Sequence, residues 1–249
     1  MRMKNKRILV IGGASGIGAA GVRALSDAGA RVVLGDLKPP SEELGAELFC
    51  PVDIGRDEQI LSIVGKANET LGGLDGVWNN AGVCHVGSVE TMSLDGFDLC
   101  FRLNVRANAV LARAVIPILR AGGGGSILFT ASAAGVMVEQ STLPYGVTKS
   151  ALVTMTRQLA LEYAKAGIRV NALCPGWVDT PFNKPAWDAF GGRDAFLEKV
   201  PPTIPLSRMG TVEEMGAVVR FLLSDDARFF TGQAIVPDGG QGLECGGTR

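Results

Sequence analysis

Ser132, Tyr145 and Lys149 carry the chemistry most directly legible in this chain of 249 residues. Tyr145-Gly146-Val147-Thr148-Lys149 opens a stretch of helical periodicity marked by Leu152, Met155, Leu159, Leu161 and Tyr163. Positions i and i+4 of a helix lie one above the other, so phenol and ammonium would share a face. An ammonium held beside a phenol lowers its pKa from about 10 toward working pH. Tyr145 is therefore a candidate general acid/base. The same spacing also occurs in ordinary exposed helical pairs, so further signals are needed.

One such signal lies at the amino-terminal end. Arg7 to Ile11 is a short β-branched apolar run suited to a buried parallel strand. Gly12, Gly16 and Gly18 follow, with a helical segment from Ala19 to Ala28 behind them. Strand, glycine turn and helix let the backbone approach a pyrophosphate at the positive end of the helix. A second strand, Arg31 to Gly35, ends on Asp36. A carboxylate there accepts hydrogen bonds from ribose hydroxyls and repels a 2′-phosphate, which favours NAD over NADP. Ser15 occupies the turn where a cation for that phosphate would stand, and only nearby Lys38 argues the other way.

Strand-like runs at 7–11, 31–35, 48–52, 74–79, 126–130, 168–173 and 233–236 alternate with helical patterns. Those patterns fall at 16–28, 41–45, 56–70, 94–120, 145–166 and 211–224. Strict alternation implies an α/β fold, a doubly wound Rossmann-like parallel sheet of about seven strands with helices on both faces. The whole of 1–249 reads as one domain that holds both cofactor and catalytic residues. An irregular stretch from Pro175 to Pro205 lies where a doubly wound sheet builds its ligand crevice, and 177–205 is expected to form a substrate lid.

Composition narrows the function classes. The chain is 47% hydrophobic and 20% charged with a net charge of −1, ordinary for a soluble globular protein and without a nucleic-acid binder's basic stripe. Met1 to Lys6 is basic, but the apolar run behind it is too short for a secretion signal. No stretch reaches the length needed to span a membrane, and a cytoplasmic location is expected. Cys50, Cys84, Cys100, Cys174 and Cys245 are odd in number and lack a C-x-x-C, as expected of small buried thiols in a reducing compartment. His85 is the single histidine, so zinc hydrolysis and Ser-His-Asp catalysis lack their parts, and no metal is expected.

Gly12-Gly13-Ala14-Ser15-Gly16-Ile17-Gly18, Asp36, Asp53, Asn79-Asn80-Ala81-Gly82, Asn104, Ser132, Tyr145 with Lys149, Pro175-Gly176 and Asp238-Gly239-Gly240 occur in this order. In this series the chain resembles the short-chain dehydrogenase/reductase family across essentially its whole length. The resemblance implies a nicotinamide cofactor, hydride transfer on a small-molecule substrate, and a homotetramer. It places Gly12, Ser15, Gly16, Ile17 and Gly18 at the pyrophosphate, Asp36 at the ribose, Asp53 with Val52 or Ile54 at the adenine, and Asn80 beside the adenosine. Pro175, Gly176, Val178 and Thr180 would position the nicotinamide end. Asn104, Ser132, Tyr145 and Lys149 would be the catalytic set, with Tyr145 moving the hydroxyl proton, Ser132 holding the substrate oxygen, and Asn104 bending its helix beside a water near Lys149. Asn79 and Asn104 have an alternative role in satisfying backbone groups, and Asp238-Gly239-Gly240 in forming a turn. Two positions depart from the family pattern: Ile11 stands where Thr is usual, and Ala131 where a second Ser is common.

The substrate is less defined. Trp177, Phe182, Trp187, Phe190 and Phe196 suggest an apolar lid wall, and His85, Glu139 and Gln140 are polar candidates for a second hydroxyl or carbonyl. The leading expectation is an NAD-dependent interconversion of a secondary alcohol (a diol, sugar or cyclic alcohol) and its ketone. Alternatives are a 3-oxoacyl thioester reductase, a nucleotide-sugar epimerase or dehydratase, and a dinucleotide sensor without turnover.

Overall fold

The computed structural model describes residues 3–243, so Cys245 lies outside the described residues. Seven strands run through the chain: β1 (Arg7–Ile11), β2 (Arg31–Asp36), β3 (Leu48–Pro51), β4 (Gly76–Asn79), β5 (Gly125–Thr130), β6 (Ile168–Leu173) and β7 (Ala234–Ile235). The helices are α1 (Gly16–Asp27), α2 (Asp57–Leu71), α3 (Leu94–Cys100), α4 (Ala107–Ala121), α5 (Leu143–Tyr163), α6 (Lys184–Ala189), α7 (Arg193–Lys199) and α8 (Val212–Leu223). All strand pairs are parallel, in the order β3-β2-β1-β4-β5-β6-β7. The order reverses between β1 and β4, which opens a crevice beyond their carboxyl ends. The fold expectation is met, with each strand within two residues of its expected bounds.

Side-chain alternation along each strand divides the core into two layers. Leu9 and Ile11 of β1, Val33 of β2, Val77 of β4, and Ile127 and Phe129 of β5 face α2, α4 and α5. Ile8 and Val10, Val32 and Leu34, Trp78 and Leu128 face α1 and α8. Because both faces are covered, the strands read as continuous apolar runs rather than polar-apolar alternation.

Three helical expectations need correction. Residues 41–45 form bends and coil rather than a helix. Pro39 and Pro40 precede them, Gly45 has φ +75°, and so short a run cannot offset helix nucleation. Leu44 instead plugs the α1–α8 layer from a loop. The expected helix at 94–120 is interrupted by a π-helical segment, Phe101–Arg106, between α3 and α4. The stretch at 175–205 is not irregular, because α6 and α7 form within it. Pro185 sits in the first turn of α6, where a proline's missing N–H is harmless.

The tightest joint lies between α1 and β4. A methyl carbon on Gly21 would fall 2.2 Å from Cζ3 of Trp78, which is fully buried. The indole cannot swing aside, because its Nε1–H donates to Thr130 Oγ1 at 2.9 Å. Gly21→Ala should therefore destabilise by about 1–3 kcal/mol through overpacking, although alanine is the better helix former by about 1 kcal/mol. A urea midpoint equal to or above wild type would overturn this packing argument.

Candidate active site

The turn from β1 into α1 brings backbone to the crevice floor. Gly12 has φ +76°, and a methyl carbon there would lie 2.4 Å from the backbone nitrogen of Ala81. Asn80 fastens the same turn, its Nδ2 donating to Gly12 O at 2.8 Å. Gly18 serves packing instead: a methyl carbon on it would reach 2.0 Å from Gly12 O, so only glycine lets α1 dock this closely. Ser15 is the N-cap of α1, yet its side chain makes no capping bond. The first-turn N–H groups thus keep no side-chain acceptor, and Ser15, Gly16 and Ile17 line the cavity. Such an end suits a phosphate.

Beyond β2, Asp36 is held by two backbone donors, Ala14 N to Oδ2 at 2.9 Å and Leu37 N to Oδ1 at 2.7 Å. Asp53, Val52 and Ile54 complete this end of the cavity, with Asp53 Oδ1 accepting from Gly55 N at 2.8 Å. Lys38 is exposed and does not line the cavity, so the one residue expected to argue for a 2′-phosphate stands aside.

At the other end, α5 supplies Tyr145 and Lys149. Lys149 is 3% exposed; its Nζ donates to Thr130 O at 2.8 Å and lies 5.4 Å from the Tyr145 ring centroid. The Ser132 side chain lies beside the Tyr145 hydroxyl in the cavity and acts to lower its pKa. Ser132 Oγ also accepts from Ala134 N at 3.2 Å, so it caps the short turn that follows β5. Asn104 is fully buried in the π-helical segment. Its Oδ1 accepts from Val83 N, and its Nδ2 donates to Val83 O, both at 2.9 Å, and to Thr148 Oγ1 at 3.1 Å. Its side chain therefore braces the β4 exit loop against α5, the backbone-satisfying role held open for it. Asn79 acts alike, accepting from Ala81 N and donating to Asn108. Asp238 accepts from Gly240 N and Gly242 N and forms a turn, whose backbone packs on Gly176.

Burial dominates the electrostatics of the pair. Burial pushes the Tyr145 phenol up, the Ser132 side chain opposes this, and nearby Cys84 and Glu139 add to the rise. Burial also pulls Lys149 down to about 8. For both groups burial is the largest cause, and it disfavours the phenolate and the ammonium alike.

A cavity of about 720 Å³ joins the two ends. Pro175, Gly176, Trp177, Val178 and Thr180 line it, as do Glu139 and Gln140. Val178 O accepts from Asn183 Nδ2 at 2.7 Å, which ties the start of the 177–205 segment to the turn before α6. Two expected substrate residues lie elsewhere. His85 is exposed, its ring resting on Gly96 and outside the cavity lining. Trp187 packs in a satellite cluster with Phe196 and beneath Arg193, whose guanidinium carbon is 5.6 Å from the ring centroid. Thr130 and Thr148 escaped the sequence reading. The position of Thr130 at the end of β5, two residues before Ser132, was the available signal.

A family model described as Enoyl-(Acyl carrier protein) reductase, within the short-chain dehydrogenase/reductase set, matches residues 12–241. The chain belongs to the short-chain dehydrogenase/reductase family. It is 34% identical to the oxidoreductase UcpA of Escherichia coli (strain K12), over 97% of this chain and 96% of that one. It is 35% identical to a 2,5-dichloro-2,5-cyclohexadiene-1,4-diol dehydrogenase of Sphingobium indicum, over 96% of this chain and 97% of the relative. The crystal structure of Levodione Reductase superposes with a TM-score of 0.92 at 31% identity, covering 96% of this chain and 98% of that one. Members of this family use a nicotinamide dinucleotide. The residues present fit that group: an uncapped helix start for its phosphates, a glycine turn no side chain could enter, and a carboxylate at the far end.

The depressed Lys149 pKa has a stability consequence. The folded value, about 8, lies below the ordinary 10.5, so above pH 8 the unfolded chain binds more protons. Wild-type stability should then rise with pH through that window relative to Lys149→Met. Melting temperatures of both proteins between about pH 7 and pH 10 should show the variant's relative advantage shrinking. A difference independent of pH would refute the buried, destabilised ammonium.

Proposed function

We propose that this short-chain dehydrogenase/reductase is NAD-preferring and interconverts a secondary alcohol (a diol, sugar or cyclic alcohol) with its ketone. The observation that carries the reading is the meeting of Ser132, Tyr145 and Lys149 at one end of a cavity whose other end holds Asp36. When bound, the nicotinamide ring supplies the hydride acceptor or donor. The chain's own residues handle the proton and the orientation. Ser132 holds the substrate oxygen, and Tyr145 takes or returns the hydroxyl proton. Lys149 fixes the ribose and, through an Asn104-held water, gives that proton a route outward.

Asp36 supports NAD because its carboxylate is fixed by two backbone donors, and Lys149 is the only cation among the described cavity-lining residues. The diol named in the Sphingobium relative supports a hydroxylated ring as substrate. The reading includes a single domain with a lid at 177–205, a cytoplasmic location and a homotetramer. Free thiols at Cys50, Cys84, Cys100 and Cys174 are in keeping with a reducing compartment, and exposed Val147 and Leu161 on α5 with self-association. A 3-oxoacyl thioester reductase is the second reading, favoured by the acyl-carrier description of the matching family model.

Tyr145→Phe should lower kcat by about 10²–10⁴, the loss typical of a missing acid/base group, while leaving NAD affinity in place. Retention of more than about a tenth of wild-type turnover rejects Tyr145 as the proton carrier. Asp36→Ala should shift the NAD-to-NADP ratio of kcat/KM toward NADP on the order of tenfold, ~1.4 kcal/mol of discrimination. A wild-type preference for NADP, or activity confined to β-ketoacyl thioesters with NADPH, would move the assignment to the second reading.

A further inference from the structure

The catalytic end of the cavity holds a carboxyl group that the hydride chemistry does not use. Glu139 is half-buried in the cavity wall, and its side chain makes no hydrogen bond or ion pair with any described residue. Only its backbone carbonyl is engaged, accepting from Thr142 Oγ1 at 3.0 Å. Glu139 lines the same cavity as Ser132, Tyr145 and Cys84. Burial pushes its pKa up. Lys149, the one cation among the described lining residues, donates to Thr130 O at 2.8 Å and forms no ion pair with Glu139. A carboxyl group that opens into a cavity with no protein partner is free to hydrogen-bond a ligand, and a ligand hydroxyl that displaces its water gains most where water is scarce.

The backbone carrying Glu139 is firmly placed. Gly87 N donates to Ser141 O at 2.6 Å, and Leu143 N donates to Gly87 O at 3.1 Å, so two loops distant in sequence form one wall. Position 87 admits only glycine, since its φ is +144° and a methyl carbon on it would meet Met92 Cα at 2.8 Å. Trp177, Phe182 and Phe190 line the same cavity, and the Phe182 ring centroid lies 6.2 Å from that of Tyr145. The pocket therefore offers an aromatic side, one reacting point and one unpaired acceptor.

We propose that Glu139 is a specificity-determining residue that binds a second hydroxyl of the substrate, so that the enzyme selects diols and hydroxyketones over simple alcohols. This deepens the alcohol–ketone reading and rests on it. A hydrated or anionic substrate group gains nothing there, whereas a hydroxyl on a carbon ring reaches the carboxyl with its apolar face against the aromatics.

The test compares cyclohexanol with cyclohexane-1,2-, 1,3- and 1,4-diol, using NAD and wild-type, Glu139→Gln and Glu139→Ala proteins. In wild type the best diol should exceed cyclohexanol in kcat/KM, and Glu139→Ala should reduce that ratio about 10- to 100-fold, mainly through KM. Glu139→Gln, still able to accept a hydrogen bond, should retain part of the preference. A ratio unchanged in Glu139→Ala overturns the proposal. Binding of the same probes to the NAD-loaded proteins, followed by tryptophan fluorescence, separates the two levels. A diol preference in binding that is lost in Glu139→Ala, without turnover of any probe, supports Glu139 and sinks the alcohol–ketone reading. Equal binding of diol and cyclohexanol by wild type sinks the Glu139 assignment.

Discussion

The amine of Lys149, withdrawn from water and hydrogen-bonded to the carbonyl at the carboxyl end of β5, is the contact around which the molecule is arranged. A buried cationic group tolerates few positions, and this one is set by three elements at once. α5 brings it in, β5 terminates beneath it, and the π-helical segment locks α5 through Asn104 and Thr148. Thr130 joins both layers of the core, since its hydroxyl accepts from Trp78 while its carbonyl accepts from the lysine. The catalytic end is thus anchored in the sheet rather than in mobile loops.

The dinucleotide end follows a different logic. There the functional groups are mostly backbone: N–H groups at the start of α1 and the glycine turn beneath them. Side chains contribute chiefly by being absent, as at Gly12 and Gly18, or by steering backbone, as Asn80 and Asp36 do. Between the two ends the sheet's change of direction leaves room for an elongated ligand, which lets residues at both ends line one cavity.

Much of this was legible in the residues. The parallel strands were readable because burial on both faces leaves an unbroken apolar signal, and the motif glycines because their spacing reports close approach. Local periodicity failed where tertiary contacts decide. Residues 41–45 have helical composition but are too few, and Leu44 serves better as a plug from a loop. Periodicity gave no sign of the π-helical segment; only the resemblance, which has Asn104 bend its helix, pointed there, and the Asn104 amide is satisfied across the fold by Val83. His85 looked chemical by type alone, but the Gly96 surface holds its ring outside the cavity. Burial of the phenol was likewise illegible: spacing reveals the neighbouring charge, whereas burial is a property of the assembled site.

The two loops fastened through Gly87 set the terms on which this pocket can change. Lengthening either loop would break their shared hydrogen bonds and displace the wall beside Tyr145. Adaptation to new molecules is therefore channelled into exchanges of individual side chains at fixed stations, with the peptide framework inherited unchanged.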